Sequence, residues 1–412
     1  MCALLRTFLR AGCMTLTSFA DARAALLSAA TAVSEIEEVA LTAALGRVLA
    51  EPVVSPIAIP AHDTSAMDGY AVSTADLPTP GVTLPVSQRI VAGSVGVALK
   101  PGTAARIFTG APLPEGADAV VMQELTEAHS EQVTFLHVPK PGEAVRRAGS
   151  EVALGQTVLT AGTRLRPQDI AMAASVGKAV LPVRRRVRVA LLATGDELVP
   201  PGQPLPPGGV YNSNRPQLQA LLAALGCRVE DLGVIPDSLA ATEAALTRAA
   251  ERNDLILSTG GVSVGEADFV KPAVEAIGSL SLWRLAVKPG KPLAFGRIGS
   301  AYFIGLPGNP VSSFVTFLLI VRPFLLRLMG ADEVLPTVIT VPAAFTWSKP
   351  DARREFLRAR LEADGRATIF PDQGSATIAS LTWANGLVEI PERTPVNPGD
   401  PVRFWPFAEL LW

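Results

Sequence analysis

The sequence predicts a multi-domain chain of α/β plus β class, organised round a central doubly wound α/β unit. Three observations carry this. The 412 residues exceed what one ordinary core holds, and the length suggests roughly two to four domains. Val187, Val189, Leu191 and Leu192, and again Leu255, Ile256 and Leu257, form short apolar runs that suit strands buried on both faces. The flanking segments instead alternate short β-rich runs with Pro, Gly and Asn.

Composition narrows the function. Hydrophobic residues, 49% of the chain, supply ample core, while a formal net charge of -2 leaves no basic field for nucleic acid or an anionic membrane. Cys2, Cys13 and Cys227 lack metal-ligand spacing, which predicts a reducing compartment and no disulfide framework. The opening MCALLRTFLRAGC is broken by Arg6 and Arg10, which argues against an export signal and leaves Met1 and Met14 as candidate starts. Val311 to Val321 is apolar but shorter than the roughly 20 residues of a membrane span, so a cytoplasmic protein with no membrane association is expected.

In chain order, Ser18 to Ala50 shows apolar residues at helical spacing and predicts two short helices. Glu51 to Pro60 is extended and proline-punctuated, marking a domain crossing. In His62 to Val72, Asp63, Ser65 and Asp68 crowd oxygens into one bend. Two readings stay open there: a cluster that satisfies its own backbone, and a carboxylate presented to substrate or metal. Thr83 to Val138 reads as a small β-rich domain. Val158 to Pro182, with a helix over Pro167 to Val176, is expected to pack beside the first helices as one discontinuous domain.

The central unit follows. Its first strand ends in Thr194-Gly195-Asp196-Glu197, and acidic residues at a strand's carboxyl end sit where open α/β sheets bind ligands. The second ends in Ser258 to Gly265, whose Gly260, Gly261 and Gly265 let backbone N–H groups approach an anion, with a helix starting near Ala267 adding its positive end. That is a phosphate cradle by mechanism. The spacing matches neither the Walker pattern nor the dinucleotide fingerprint, and the reading in which glycines only turn the chain stays open.

Leu218, Leu221, Leu222 and Leu225 form one helical stripe stopped by Gly226, and Ser238 is a candidate N-cap for the next helix. Leu282 to Val287 predicts a strand that delivers Lys288-Pro289-Gly290-Lys291 to the sheet edge, where both lysines could grip an anion; a solvated turn is the competing reading. Gly305 to Pro310 makes a third loop before an apolar helix over Val311 to Met329. Thr337 to Trp412 predicts a small β domain, in which Arg353, Arg354 and Arg358 read as a solvated charged face.

Taken in order, SAMDGYAV, RIFTGAPLPEGADAVVMQE, LLATGDEL, LILSTGGVSVGEADF, LAVKPGKPLAFG and GLPGNPVSSF resemble the molybdopterin molybdenumtransferases, the family that includes the E-domain of gephyrin. The resemblance covers nearly the whole chain. It implies the last step of molybdenum cofactor synthesis: molybdate enters the dithiolene of adenylylated molybdopterin, AMP leaves, and Mg2+ assists. It further implies an elongated homodimer, a molybdopterin adenylyltransferase upstream, molybdoenzyme acceptors downstream, and a cleft shared between the α/β domain of one subunit and the inserted domain of the other.

The implied domains are a discontinuous linker (14–55 and 150–185), an inserted β-rich domain (56–149), an α/β molybdopterin-binding domain (186–332) and a C-terminal β-barrel (333–412). By resemblance Asp68, Glu197, Asp237 and Asp268 are catalytic. Thr109, Gly260, Gly261, Ser263, Gly265, Arg284, Lys288, Lys291, Pro307, Pro310, Arg358 and Ser375 bind substrate, and Asp68, Glu197 and Glu151 hold metal. Two positions depart from bacterial relatives: Glu151 stands where an aspartate is frequent, and Arg284 where a lysine is. Two rival readings are weighed. The pathway's adenylyltransferase resembles the α/β domain alone, and the flanking domains argue against it. A non-catalytic gephyrin-like scaffold is disfavoured because the carboxylates are in place.

Overall fold

The computed structural model describes residues 16–262 and 269–411. Its centre is a six-stranded sheet in the order Arg228–Ile235, Arg188–Thr194, Leu255–Thr259, Ala301–Leu306, Pro292–Ile298 and Ser279–Arg284. The first four strands are parallel and the last two join antiparallel. Strand alternation explains the two-sided burial: Val189 and Leu191 enter one core, Ala190 and Leu192 the other. Helices Asn214–Ala224 and Pro310–Thr316 cover the first face, Leu239–Ala250 and Val270–Ile277 the second. The predicted caps are present, since Ser238 accepts from Ala241 N–H and Gly226 adopts φ 84° after the leucine stripe.

Three sequence expectations change. The strand expected over Leu282 to Val287 ends at Arg284, and Val287–Lys288 instead pairs in parallel with Arg354 and Glu355 of the C-terminal sheet. The second helix expected before Ala50 is the strand Ile36–Ala40 and a short turn; antiparallel pairing with Val180–Arg184 satisfies its backbone and overrides helical spacing. The helix expected over Val311 to Met329 runs from Pro310 to Leu328, but where its Val311 to Val321 run was read as too short for a membrane span the whole is long and apolar enough to cross one, and 94% of its apolar window is buried inside the protein. It is a core helix. Its middle, Phe317–Val321, widens into a π turn just before Pro323, which has no N–H to continue the ladder.

The discontinuous pairing expected from sequence occurs. Ile36–Ala40 pairs with Val180–Arg184 and Val53–Val54 with Thr157–Leu159, around a small core of Leu49, Leu165, Leu181 and Val183. Between these pieces lies a sheet ordered Ala119–Met122, Gly69–Val72, Ala104–Ile107, Val82–Ile90, Gln132–Phe135 and Thr126–His129. At the C-terminus, Ile339–Pro342, Pro401–Pro406, Gly386–Ile390, Arg354–Leu361 and Ala367–Ile369 pair in succession, and an Ala343–Ala367 bridge closes the ring. The helix Phe19–Ala29 joins this end to the α/β core: Phe19 meets Phe356 edge-on at 5.2 Å and Trp405 at 6.4 Å.

Cys227 lies at the edge of the large core, where burial pushes its thiol up to about 12. It therefore stays protonated near neutral pH, and the thiolate is the reactive form. Native protein should react with a disulfide reagent at Cys227 far more slowly than protein unfolded in guanidinium; equal rates would contradict the burial.

Candidate functional site

A cleft of about 1090 Å³ opens at the carboxyl ends of the parallel strands. Thr194, Gly195 and Glu197 line it from the first strand, Asp237 from the strand after it, and Thr259, Gly260 and Gly261 from the third. Lys288 to Pro292 and Pro307 to Pro310 line it from the α/β core, and beside them Arg353 and the segment 373–376 line it from the C-terminal domain. Thus Glu197, Asp237, Gly260, Gly261, Lys288, Lys291, Pro307, Pro310 and Ser375 are brought together. Asp68, Thr109, Glu151, Arg284 and Arg358 do not line the cleft within one chain. Ser263, Gly265, Asp268 and the helix start near Ala267 lie outside the described residues.

Gly260 shows why the strand Leu255–Thr259, the third, ends in glycine. Its φ is 85°, and a Cβ there would stand 2.8 Å from the Thr194 carbonyl oxygen, so only a bare backbone fits between the first and third strand ends. Asn214 ties the neighbouring loops: its Nδ2 donates to Thr259 Oγ1 at 2.9 Å and to the Gly308 carbonyl at 2.7 Å. Ser375 is joined to the Gly308 loop, accepting from Asn309 Nδ2 at 2.9 Å and, through its carbonyl, from Val311 N–H at 3.1 Å.

The acidic side is built from loops. Asp196 and Asp237 lock two of them reciprocally, each carboxylate accepting the other's backbone N–H at 3.2 and 3.3 Å. Glu197 is exposed on the cleft wall, with no side-chain hydrogen bond among the described residues. Two carboxylates, Glu197 and Asp237, therefore face the space as hard oxygen ligands. Among the described residues no three His, Cys, Asp or Glu side chains gather into a metal cage.

The cationic side differs from expectation. Lys288 pairs with Glu355 at 3.0 Å, and Arg353, read from sequence as a solvated face, lines the cleft while bonded to Asp351. Asp351 is held far below the usual carboxylate range, chiefly by the hydrogen bond from Arg353. Lys291 is exposed and has no ion pair among the described residues. Arg358 is fully buried behind the wall: its Nε donates to Ser380 Oγ at 3.1 Å and its Nη2 to the Gly374 carbonyl at 3.0 Å, and burial lowers its pKa to about 10. It thereby braces the loop before Ser375, and its Nη1 makes no hydrogen bond among the described residues.

In the inserted domain the His62 to Val72 bend divides its oxygens. Asp63 accepts from Arg147 at 2.6 Å and from Ala148 N–H at 2.8 Å, and Ser65 donates to the Met67 carbonyl, so these two stabilise the loop. Asp68 differs. Thr109 N–H and Oγ1 both donate to its Oδ1 at 2.8 Å, holding its carboxyl below the usual range, and its Oδ2 makes no hydrogen bond among the described residues. Of the two readings left open by the sequence, the self-satisfying cluster describes Asp63 and Ser65, while Asp68 keeps an oxygen that the loop does not use. Glu151 is exposed, and so is Arg284 at the end of the edge strand.

The sequence reading missed Asn214, Arg353 and Glu355. The polar run Tyr211-Asn212-Ser213-Asn214 ahead of an apolar helix was the available signal for the first, because a helix start has one N-cap position and this run offers three capping side chains.

Comparison with known proteins gives one answer along the chain. Residues 17–177 match the MoeA N-terminal region (domain I and II), 190–327 the probable molybdopterin binding domain, and 340–407 the MoeA C-terminal region (domain IV). A Haemophilus influenzae protein named molybdopterin molybdenumtransferase is 39% identical over 95% of this chain and 98% of its own length. A Mycobacterium tuberculosis protein named molybdopterin molybdenumtransferase 2 is 38% identical over 89% and 94%. Among solved structures, the molybdopterin biosynthesis moeA protein of Pyrococcus horikoshii OT3 superposes with a TM-score of 0.84 at 30% identity, covering 95% of this chain and all of that one.

Proposed function

The chain belongs to the molybdopterin molybdenumtransferase (MoeA) family, and from that premise we propose how its residues perform the insertion of molybdenum into molybdopterin. The substrates are molybdate and adenylylated molybdopterin. Both are anionic, and the cleft sets Lys288, Lys291, Arg353 and the Gly260-Gly261 backbone against Glu197 and Asp237. That juxtaposition carries the reading. The cations and glycine amides hold the phosphates and the oxyanion. Two dithiolene sulfurs bond to molybdenum as one molybdate oxygen departs as water carrying both thiol protons. A water oxygen attacks the phosphoanhydride, its P–O bond breaks and AMP leaves. The decisive assay is AMP release on mixing purified protein, adenylylated molybdopterin, molybdate and magnesium; no release would refute the proposal.

Magnesium suits this donor set, since it binds through one or two carboxylates together with substrate phosphates rather than in an all-protein cage. Glu197 and Asp237 would hold it, and it would offset the charge of the leaving phosphate. Lys288→Ala should weaken substrate binding by about ten- to a hundredfold, the worth of a charge-assisted contact, measured by titration with adenylylated molybdopterin.

The working unit is a homodimer in which Asp68 and Thr109 of one subunit face the cleft of the other. Support comes from Asp68 itself, which stays ionised with one free oxygen yet lies outside the cleft of its own chain. Mixing Asp68→Asn with Glu197→Gln subunits should then restore up to one intact site per mixed dimer. No recovery in a subunit-exchange assay would exclude the shared cleft. On this reading the domains run as linker (14–55 and 150–185), inserted (56–149), α/β (186–332) and C-terminal barrel (333–412). The protein works in the cytoplasm, between a molybdopterin adenylyltransferase and the molybdoenzymes that accept its product.

A further inference from the structure

Of the cleft's cations, Lys288 is the one whose surroundings come from another domain. Its Nζ lies 3.0 Å from Glu355 Oε1 and 3.8 Å from Asp351 Oδ2, both carboxylates of the C-terminal domain. The contact is asymmetric: Glu355 is 1% exposed, whereas Lys288 is 42% exposed and reaches the cleft. Glu355 cannot swing away. Its Oε2 accepts from Trp347 Nε1 at 2.8 Å and from Asp351 N–H at 2.9 Å, and its backbone is in register with Lys288 through the short parallel pairing of Val287–Lys288 with Arg354 and Glu355. Its Oε1 has the Lys288 ammonium as its one close partner among the described residues, so one N–H of the ammonium faces Glu355 and the others remain for the cleft.

We infer that Glu355 is a positioning residue for Lys288, through which the C-terminal domain places the ammonium at the cleft and lowers the cleft's affinity for anions. This rests on the reading of the cleft as the anion site. A carboxylate screened from water at this distance offsets much of the lysine's charge. An incoming oxyanion meets an ammonium that is correctly placed and already half-satisfied. Ground-state binding is weaker, and interaction is reserved for the charge that develops on the departing phosphate.

Glu355→Gln tests this with little change of shape. The amide oxygen can still accept from Trp347 and Asp351, while its NH2 group replaces Oε1 and repels the ammonium. Titrating the purified full-length protein with inorganic molybdate should show binding roughly three- to tenfold tighter than wild type at low salt, with a steeper salt dependence. AMP release should fall at least about tenfold in kcat, because the released ammonium is no longer placed. The tightening should vanish in Lys288→Ala/Glu355→Gln. A purely structural role predicts weaker binding and slower turnover together, and that result overturns the inference.

If Glu355→Gln folds poorly, the pair is read from the other side. Lys288→Met leaves a buried carboxylate uncompensated and should lower the melting temperature by several degrees, a loss that Lys288→Met/Glu355→Gln removes. Additive effects of the two changes overturn the pairing. Should Lys288→Ala weaken molybdate binding while Glu355→Gln leaves it unchanged, the cleft reading stands and the role of Glu355 fails. Unchanged binding in both Lys288→Ala and Lys291→Ala would instead refute the cleft as the anion site.

Discussion

Glu197→Gln is expected to lower molybdenum insertion by roughly 10²–10³-fold while leaving the fold intact, the size seen when one preorganised electrostatic group is removed from a reacting centre. The fold is spared because the side chain is exposed and makes no hydrogen bond among the described residues. Chemistry is not spared, because one of the two cleft carboxylates able to hold a hard cation loses its charge. Asp68→Asn should be comparable in effect and clean in interpretation, since an amide oxygen can still accept both Thr109 bonds. Those bonds depress the Asp68 pKa, so its charge is present throughout neutral and mildly acid pH and is lost only below the ordinary carboxylate range. Any acid limb of the activity profile therefore arises elsewhere and should persist unshifted in Asp68→Asn. Rates would be followed as AMP release and as reconstitution of a molybdenum-free acceptor enzyme; wild-type rates in both variants would remove these carboxylates from the mechanism.

Gly260→Ala should disable the protein by a different route. At φ 85° an alanine costs about 1–3 kcal/mol in backbone strain, and its Cβ would meet the Thr194 carbonyl oxygen at 2.8 Å and Thr194 Oγ1 at 3.3 Å. Relief requires the ends of the first and third strands to part, which moves Glu197 and the glycine amides relative to each other. Insertion should fall by at least about a hundredfold, as expected when reacting groups shift by an ångström. Gly299→Ala supplies the comparison. Gly299 has φ 57° with nothing within 4 Å, so it incurs the backbone strain without the collision and should retain near-normal activity. Equal loss in both would show that strain, not the strand-end contact, matters.

What the sequence revealed was what local pattern encodes. Val187 to Leu192 and Leu255 to Leu257 were legible as buried strands because apolar runs report burial directly, and Gly260 was legible because glycine at a strand end has few other uses. Lys288 was placed correctly at the cleft but at the edge of the wrong sheet. The strand that holds it is two residues long, and its partners Arg354 and Glu355 lie more than sixty positions away. Long-range pairing of that kind leaves no periodic trace. Arg353 was misjudged for a different reason: its acceptor Asp351 stands only two residues before it, but a run of arginines looks solvated until the distant segments that build the cleft beside it are known.

The two contacts that cross the cleft wall, Val287–Lys288 against Arg354 and Glu355, and Ser375 against Asn309 and Val311, also have a dynamic meaning. They tie the α/β and C-terminal domains at two places beside the cleft, and both domains share the core that runs from Leu222 to Phe356 and Trp405. Amides at Arg354 and Val311 should exchange with solvent at a common slow rate, as parts of one cooperative unit. No hinge is left at that wall. In the proposed dimer the arm is the inserted segment 56–149, attached by two chain crossings beside the narrow Val53–Val54 ladder, so opening of the site for product release would be a motion of that arm against a rigid bed.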